Sequence, residues 1–130
     1  MVLHRLASLT GEGKWLDAAN RQMRFLSNAV WRHPGSSCLG VLAIMDALYP
    51  HRGLVCVTNE ELAEDLRCYL KEYTAYDLQI LVKTAQNAAV LAECAHFTGD
   101  YLVPEQGTMY YLCEGGMCKA PVTDMNLLKL

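Results

Sequence analysis

The sequence predicts an α/β fold: an N-terminal helical hairpin packed on a small, mainly parallel sheet of three or four strands with βαβ crossovers. Three observations carry this. Up to residue 50 the apolar residues recur at helical spacing. From Gly53 onward, short continuous apolar runs alternate with helical stretches. Two of those runs, 54–57 and 78–82, are separated by about twenty residues, the length of a right-handed crossover between parallel strands. One domain over 1–130 is expected, with a helical part at 1–50 and an α/β part at 53–130.

Taken in order, residues 2–9 read as a helix, with Leu3, Leu6 and Leu9 in helical register and Gly11 as its stop. No capping residue precedes it, which suggests that a natural N-terminal portion is missing. Residues 14–30 form a clearer helix. Trp15, Ala19, Met23, Leu26 and Val30 share one face, and Asp17, Asn20, Arg21 and Arg24 fall elsewhere. His33-Pro34-Gly35 breaks it. Ser36 or Ser37 caps the next helix, which stops at Pro50. That helix carries Leu39, Val41, Leu42, Ile44, Met45 and Leu48, with Asp46 as its single charge. Apolar residues nearly all round mean burial on more than one side, so part of it is expected to face another chain.

The run 54–57 reads as a strand covered on both faces. Thr58 with Glu61 forms a capping-box pattern for a helix to about residue 73, burying Leu62, Leu66, Tyr69 and Leu70. A second strand spans 78–82. Thr84 caps a helix over 85–94 with Ala88, Val90 and Leu91 inward, ended at Phe97-Thr98-Gly99. A third strand covers 109–113. After a Gly115-Gly116 turn the chain returns through Lys119 to Val122, and Asp124 caps a last turn over 125–130.

The composition excludes several functions. A formal charge of −3 supplies no electrostatic footprint for nucleic acid, and no polybasic run marks a lipid surface. No apolar run approaches the roughly 20 residues needed to span a bilayer. The start, MVLHRLASLTGEGK, lacks the pattern of a secretory signal. The chain therefore reads as cytoplasmic, with its six cysteines mostly reduced. Cys38, Cys56, Cys68 and Cys94 lie in apolar periodic segments and are expected in the core.

The most distinctive stretch is MYYLCEGGMCKAPVTD, 109–124. Cys113 and Cys118 admit three readings. A redox pair needs Cα atoms about 4.4–6.8 Å apart, which a two-glycine turn provides, although no helix N-terminus follows Cys113 to lower its pKa. A zinc set would take Cys94, His96, Cys113 and Cys118, at irregular spacing. The structural reading is a closed hairpin whose cysteines pack or are bridged in air. A second candidate is a ligand edge of Thr58, Asn59, Lys83 and Thr84, at the C-terminal ends of two adjacent parallel strands. Helix capping alone accounts for its two threonines, and no glycine-rich phosphate loop is present, so no cofactor is expected. His4, His33 and His51 are lone histidines. Glu60, Glu61, Glu64 and Asp65 read as a solvated helix start. The Tyr69, Tyr73, Tyr76 group and the Trp15, Trp31 pair read as packing aromatics.

Several segments together resemble the C-terminal region of a large family of bacterial and eukaryotic thioredoxin-domain-containing proteins, whose animal member is called spermatogenesis-associated. They are LASLTGEGKWLDAANRQMRFL, HPGSSCLGVLAIMDALYP, GLVCVTN, LAECAHFTG and the terminal YLCEGGMCKAPVTD. The last is the most specific, and the resemblance covers essentially the whole chain. His96 departs from it, standing where relatives often carry proline. The resemblance implies a parent with a thioredoxin-like domain followed by an (α/α) toroid like that of six-hairpin glycosidases. This chain would then be the last toroid helices plus a small α/β module. No residue here matches the thioredoxin-like motif, and the resemblance supplies no reaction. The expected function is a non-catalytic structural or interaction module. The expected partners are a second copy, or the missing N-terminal domains of the parent. The competing reading is a thiol redox or zinc module built on Cys113 and Cys118.

Overall fold

A computed structural model of the chain describes residues 2–49, 51–59, 64–72, 77–114 and 117–128. Pro50, Glu60, Glu61, Leu62, Tyr73, Tyr76, Gly115, Gly116 and Leu130, which figure in the expectations above, lie outside these residues. The chain divides into two compact units, Met1–Pro50 and His51–Leu130, close to the point where the sequence pattern changes. Each is described by itself.

The first unit is helical: α1 (Val2–Thr10), α2 (Gly13–Arg32), a 3-10 turn (Pro34–Ser36) and α3 (Cys38–Leu48). Gly11 ends α1 at φ +70°, donating its N–H to the carbonyl of Ala7 at 2.9 Å. This is the left-handed stop that glycine makes without a Cβ penalty. On α2, Ala19 and Val30 are buried and Trp15, Met23 and Leu26 half-buried, while Asp17, Asn20, Arg21 and Arg24 are exposed, so the amphipathic reading holds. Ser37 is the residue before α3, but its side chain makes no capping bond. A Cβ added at Gly40 would come within 2.5 Å of a Val30 methyl. The absence of a side chain is what lets α3 approach α2 there.

The second unit is a four-stranded sheet with helical cover. Its strands are β1 (Arg52–Thr58), β2 (Leu78–Thr84), β3 (Thr108–Glu114) and β4 (Met117–Cys118), in the order β2-β1-β3-β4. β1 and β2 are parallel, joined through α4 (Glu64–Glu72), so the βαβ unit is present. The expectation of a mainly parallel sheet is corrected: β3 runs antiparallel to β1, and β4 antiparallel to β3. After α5 (Ala88–Cys94) and its 3-10 extension (His96–Asp100) the chain is tied to the ends where β1 and β2 finish: Lys83 bonds the Thr98 and Tyr101 carbonyls, Asn59 the Glu105 carbonyl and Thr58 the Gly107 carbonyl. β3 begins at the end where β1 finishes, with Thr108 opposite Thr58.

Period-two alternation sorts the strands onto two faces. On one face Leu54, Cys56, Leu78, Tyr110 and Leu112 form the core with Leu66 of α4 and Met125 of the C-terminal segment, and Tyr69, Ile80, Val82, Val122 and Leu128 pack around it. Val55 and Val57 face the other way and are also buried, so β1 is covered on both sides as its sequence implies. The C-terminal segment lies along β3, with Tyr110 and Val122 exchanging backbone hydrogen bonds of 2.8 and 3.0 Å. Asp124 caps the following 3-10 turn by accepting from the Asn126 N–H at 2.9 Å.

Several burial expectations are corrected. Leu70 on α4 and Val90 on α5 are exposed. Ala88 and Leu91 of α5 are half-buried as expected, Ala92 joins them, and Ala95 just past the helix is buried. Of the four cysteines expected in the core, only Cys56 is buried; Cys38, Cys68 and Cys94 are exposed. Cys38 and Cys94 are the end residues of short helices, where one turn has no neighbour to cover it, and Cys68 sits two positions from the buried Leu66 and so off its face.

The starts of β1 and β2 are joined by Arg52, whose backbone N–H reaches the Asp77 carbonyl at 3.1 Å and whose Nε reaches the Asp77 carboxylate at 2.8 Å. The Arg52 hydrogen bond holds the Asp77 carboxyl below the usual aspartate range. A depressed folded-state pKa stabilises above the unfolded value of about 4 and loses that contribution as pH falls through the lowered value. Both side chains are partly solvated, 24% and 48% exposed, so the effect is small. Asp77→Asn is expected to cost about 0.5 kcal/mol at neutral pH and nothing in strong acid, read from urea midpoints at the two conditions.

Candidate functional site

The second face of the sheet carries Lys83, Tyr111 and Cys113 beside Val55 and Val57. Tyr111 and Cys113 alternate with the core residues Tyr110 and Leu112 on β3, and Lys83 alternates with Val82 on β2. Residues 95–107 are tied to this face.

Cys113 and Cys118 are bonded as a disulfide, with Cα atoms 3.8 Å apart, closer than the separation expected from the sequence. The register explains the pairing: Cys118 of β4 lies directly opposite Cys113 of β3, and opposed antiparallel residues project to the same side. Lys119 continues the pairing, its N–H donating to the Leu112 carbonyl at 2.8 Å. Cys113 is half-buried and Cys118 exposed. The Tyr101 hydroxyl lies 2.9 Å from Cys118 Sγ and 3.8 Å from Cys113 Sγ. A disulfide sulfur carries no hydrogen, so the hydroxyl is the donor. The Tyr101 ring packs against Tyr111 at 4.5 Å between centroids and edge-on against Phe97 at 6.4 Å. Burial first, then the charge of Asp100 and the neighbouring Tyr111, raise the Tyr101 pKa above its ordinary value, keeping the hydroxyl protonated.

Tyr101 is held by its backbone. Lys83, 5% exposed, donates from Nζ to the carbonyl of Thr98 at 2.6 Å and to that of Tyr101 itself at 2.7 Å. A buried ammonium is costly unless donors find acceptors, and two carbonyl dipoles supply them here. Lys83 thus fixes the loop that presents Tyr101 to the disulfide.

The other members of the expected ligand edge are engaged in similar ways. Thr58 is fully buried; its hydroxyl donates to the Gly107 carbonyl at 3.3 Å and accepts from the Thr108 hydroxyl at 2.9 Å. Asn59 donates from Nδ2 to the Glu105 carbonyl at 2.9 Å. Thr84 and Asn87 bond each other reciprocally, at 2.7 and 3.3 Å. Asn87, not Thr84, is the residue before α5, so Thr84 closes the preceding turn rather than capping the helix. The strand-end groups therefore hold their own loops.

Cys94 ends α5 and is exposed; His96 is exposed and its Nδ1 lies 3.0 Å from the Ala92 carbonyl. Among the described residues no three His, Cys, Asp or Glu side chains gather as a metal site requires. The four-ligand set of Cys94, His96, Cys113 and Cys118 is thus not assembled, and the sulfurs of two of its members are joined to each other. His33, Glu64 and Trp31 are exposed and Trp15 half-buried.

Sequence reasoning found the cysteine pair and missed Tyr101. The signal that Tyr111 and Cys113 share a strand face was present. Nothing local shows that a residue in the loop before β3 folds back onto them.

No helix among the described residues is long and apolar enough to cross a membrane. No family model, curated protein or solved structure matches the chain.

Proposed function

We propose that the chain is a non-catalytic structural or interaction module, and that its resemblance to the C-terminal region of the thioredoxin-domain-containing proteins reflects a place at the end of such a parent. The observation that carries the interaction reading is α3. Its apolar residues Leu39 and Leu48 are 77% and 74% exposed, with Tyr49 beside them at 66%. Its one charged residue, Asp46, is 2% exposed and lies 3.6 Å from Arg5 of α1. A helix that hides its charge and shows its leucines is built to be covered. The polar strand-end groups, each consumed by a loop contact, further support a module without a reaction of its own.

In isolation the occupant of this face is a second copy of the chain, in a symmetric contact. Light scattering at rising concentration should show self-association. Leu39→Glu with Leu48→Lys should shift the mass toward the monomer with the circular dichroism spectrum unchanged. A strictly monomeric mass at high concentration sinks the reading.

A second reading has its own support. The Cys113–Cys118 disulfide, with a tyrosine hydroxyl 2.9 Å from the exposed sulfur, favours a thiol redox module in which the hairpin opens on reduction and closes on oxidation.

A further inference from the structure

The redox reading leaves open which thiol attacks and what activates it, and the inference below rests on that reading. Low thiol pKa values arise beside cations or at helix N-termini. Neither source is at hand. Both cysteines lie on strands, and the nearest cation in sequence, Lys119, is paired with Glu114 at 3.1 Å. What does reach the sulfurs is the Tyr101 hydroxyl, nearer to Cys118 by almost an ångström. Its pKa is raised by burial, Asp100 and Tyr111, so it remains a donor throughout the range in which thiols titrate.

We propose that in the reduced protein Tyr101 donates its hydrogen bond to the Cys118 thiolate, making Cys118 the attacking thiol and Cys113 the resolving thiol in exchange with exposed disulfides of small thiol compounds. The assignment fits access as well, since Cys118 is exposed and Cys113 half-buried. Cys118, its proton lost to solvent, attacks one sulfur of the disulfide RS–SR. A Cys118–SR bond forms, and RS⁻ leaves and takes a proton from water. Cys113 then loses its proton and attacks the Cys118 sulfur, forming the Cys113–Cys118 bond and expelling the second RS⁻. Two protein thiols are oxidised and one disulfide is reduced to two RSH, with two electrons transferred.

A hydrogen bond that lowers a thiol pKa also lowers its intrinsic nucleophilicity, with a Brønsted coefficient of about 0.4–0.5. At neutral pH, below the thiol pKa, the gain in thiolate outweighs that loss, leaving about a threefold rate gain per unit of pKa. Tyr101 bonds both sulfurs, and Tyr111, its ring neighbour, shares the strand face of Cys113. Asp100 acts on Tyr101, while Glu114 alternates to the opposite strand face and is paired with Lys119.

The test uses the reduced full chain with oxidised glutathione and iodoacetamide as probes. In wild type, alkylation at pH 7 should fall first on Cys118. Tyr101→Phe keeps the ring on Tyr111, should slow Cys118 alkylation at least about threefold, and should move its pH midpoint upward. Cys113→Ser should accumulate a glutathione mixed disulfide at Cys118, whereas Cys118→Ser should accumulate little at Cys113. If wild-type thiols never close to a disulfide with oxidised glutathione, the redox reading itself fails. If the disulfide closes but Cys113 reacts first, or Tyr101→Phe moves neither the rate nor the midpoint, the redox reading stands and the role of Tyr101 is overturned.

Discussion

Replacing Lys83 with methionine is expected to lower the stability of the His51–Leu130 unit by about 2–4 kcal/mol. Methionine keeps the unbranched apolar stem that Lys83 buries but removes the ammonium. Two carbonyls, of Thr98 and Tyr101, then lose donors at 2.6 and 2.7 Å. Each buried acceptor left without a partner costs about 1–3 kcal/mol, and release of a desolvated charge offsets part of this. Amide exchange of β1 is the appropriate probe, because both tryptophans, Trp15 and Trp31, lie in the other unit. A change in β1 protection below about 0.5 kcal/mol, the size of an ordinary surface substitution, would show that the loop does not depend on Lys83.

Leu54→Ala is expected to cost about 3–4 kcal/mol. Leu54 is fully buried at the middle of the sheet, opposite Ile80 on β2 and Leu112 on β3. A rigid sheet collapses poorly around a deleted side chain, so a cavity term adds to the lost transfer energy. Leu39→Ala, measured in dilute monomer, is the matched control: the same atoms are removed from a position 77% exposed, where about 0.5 kcal/mol or less is expected. Equal effects at the two sites, in β1 exchange for one and thermal unfolding for the other, would contradict the burial described here.

The two leucines look alike in sequence, each inside an apolar run, and this shows where legibility ended. The β1 run of Leu54, Val55, Cys56 and Val57 named a strand covered on both faces, and it is one. The α3 run named a helix needing cover on several sides, yet its leucines remain open and its aspartate is hidden beside Arg5. Periodicity reports that a surface is apolar; what covers it depends on neighbours that local spacing does not specify. The same distinction runs through the candidate site. Cys113 and Cys118 were identifiable because they lie only five positions apart in the chain. The neighbours Tyr101 and Lys83 were not identifiable as such, because the contact joining them spans 18 residues, from a strand to the loop beyond the next helix.

By itself the sequence determined the helical first part, the strand run at residues 54–57, the βαβ unit it belongs to, and Cys113 with Cys118 as a candidate pair. Each is encoded by short-range periodicity, caps and turn residues. Only the tertiary structure decided that the sheet is mixed, since contacts of residues 98–107 with Thr58, Asn59 and Lys83 start β3 at the end where β1 and β2 finish. It also decided which groups Thr58, Asn59, Lys83 and Thr84 bond within the chain, because hydrogen-bond partners are chosen by distance in space.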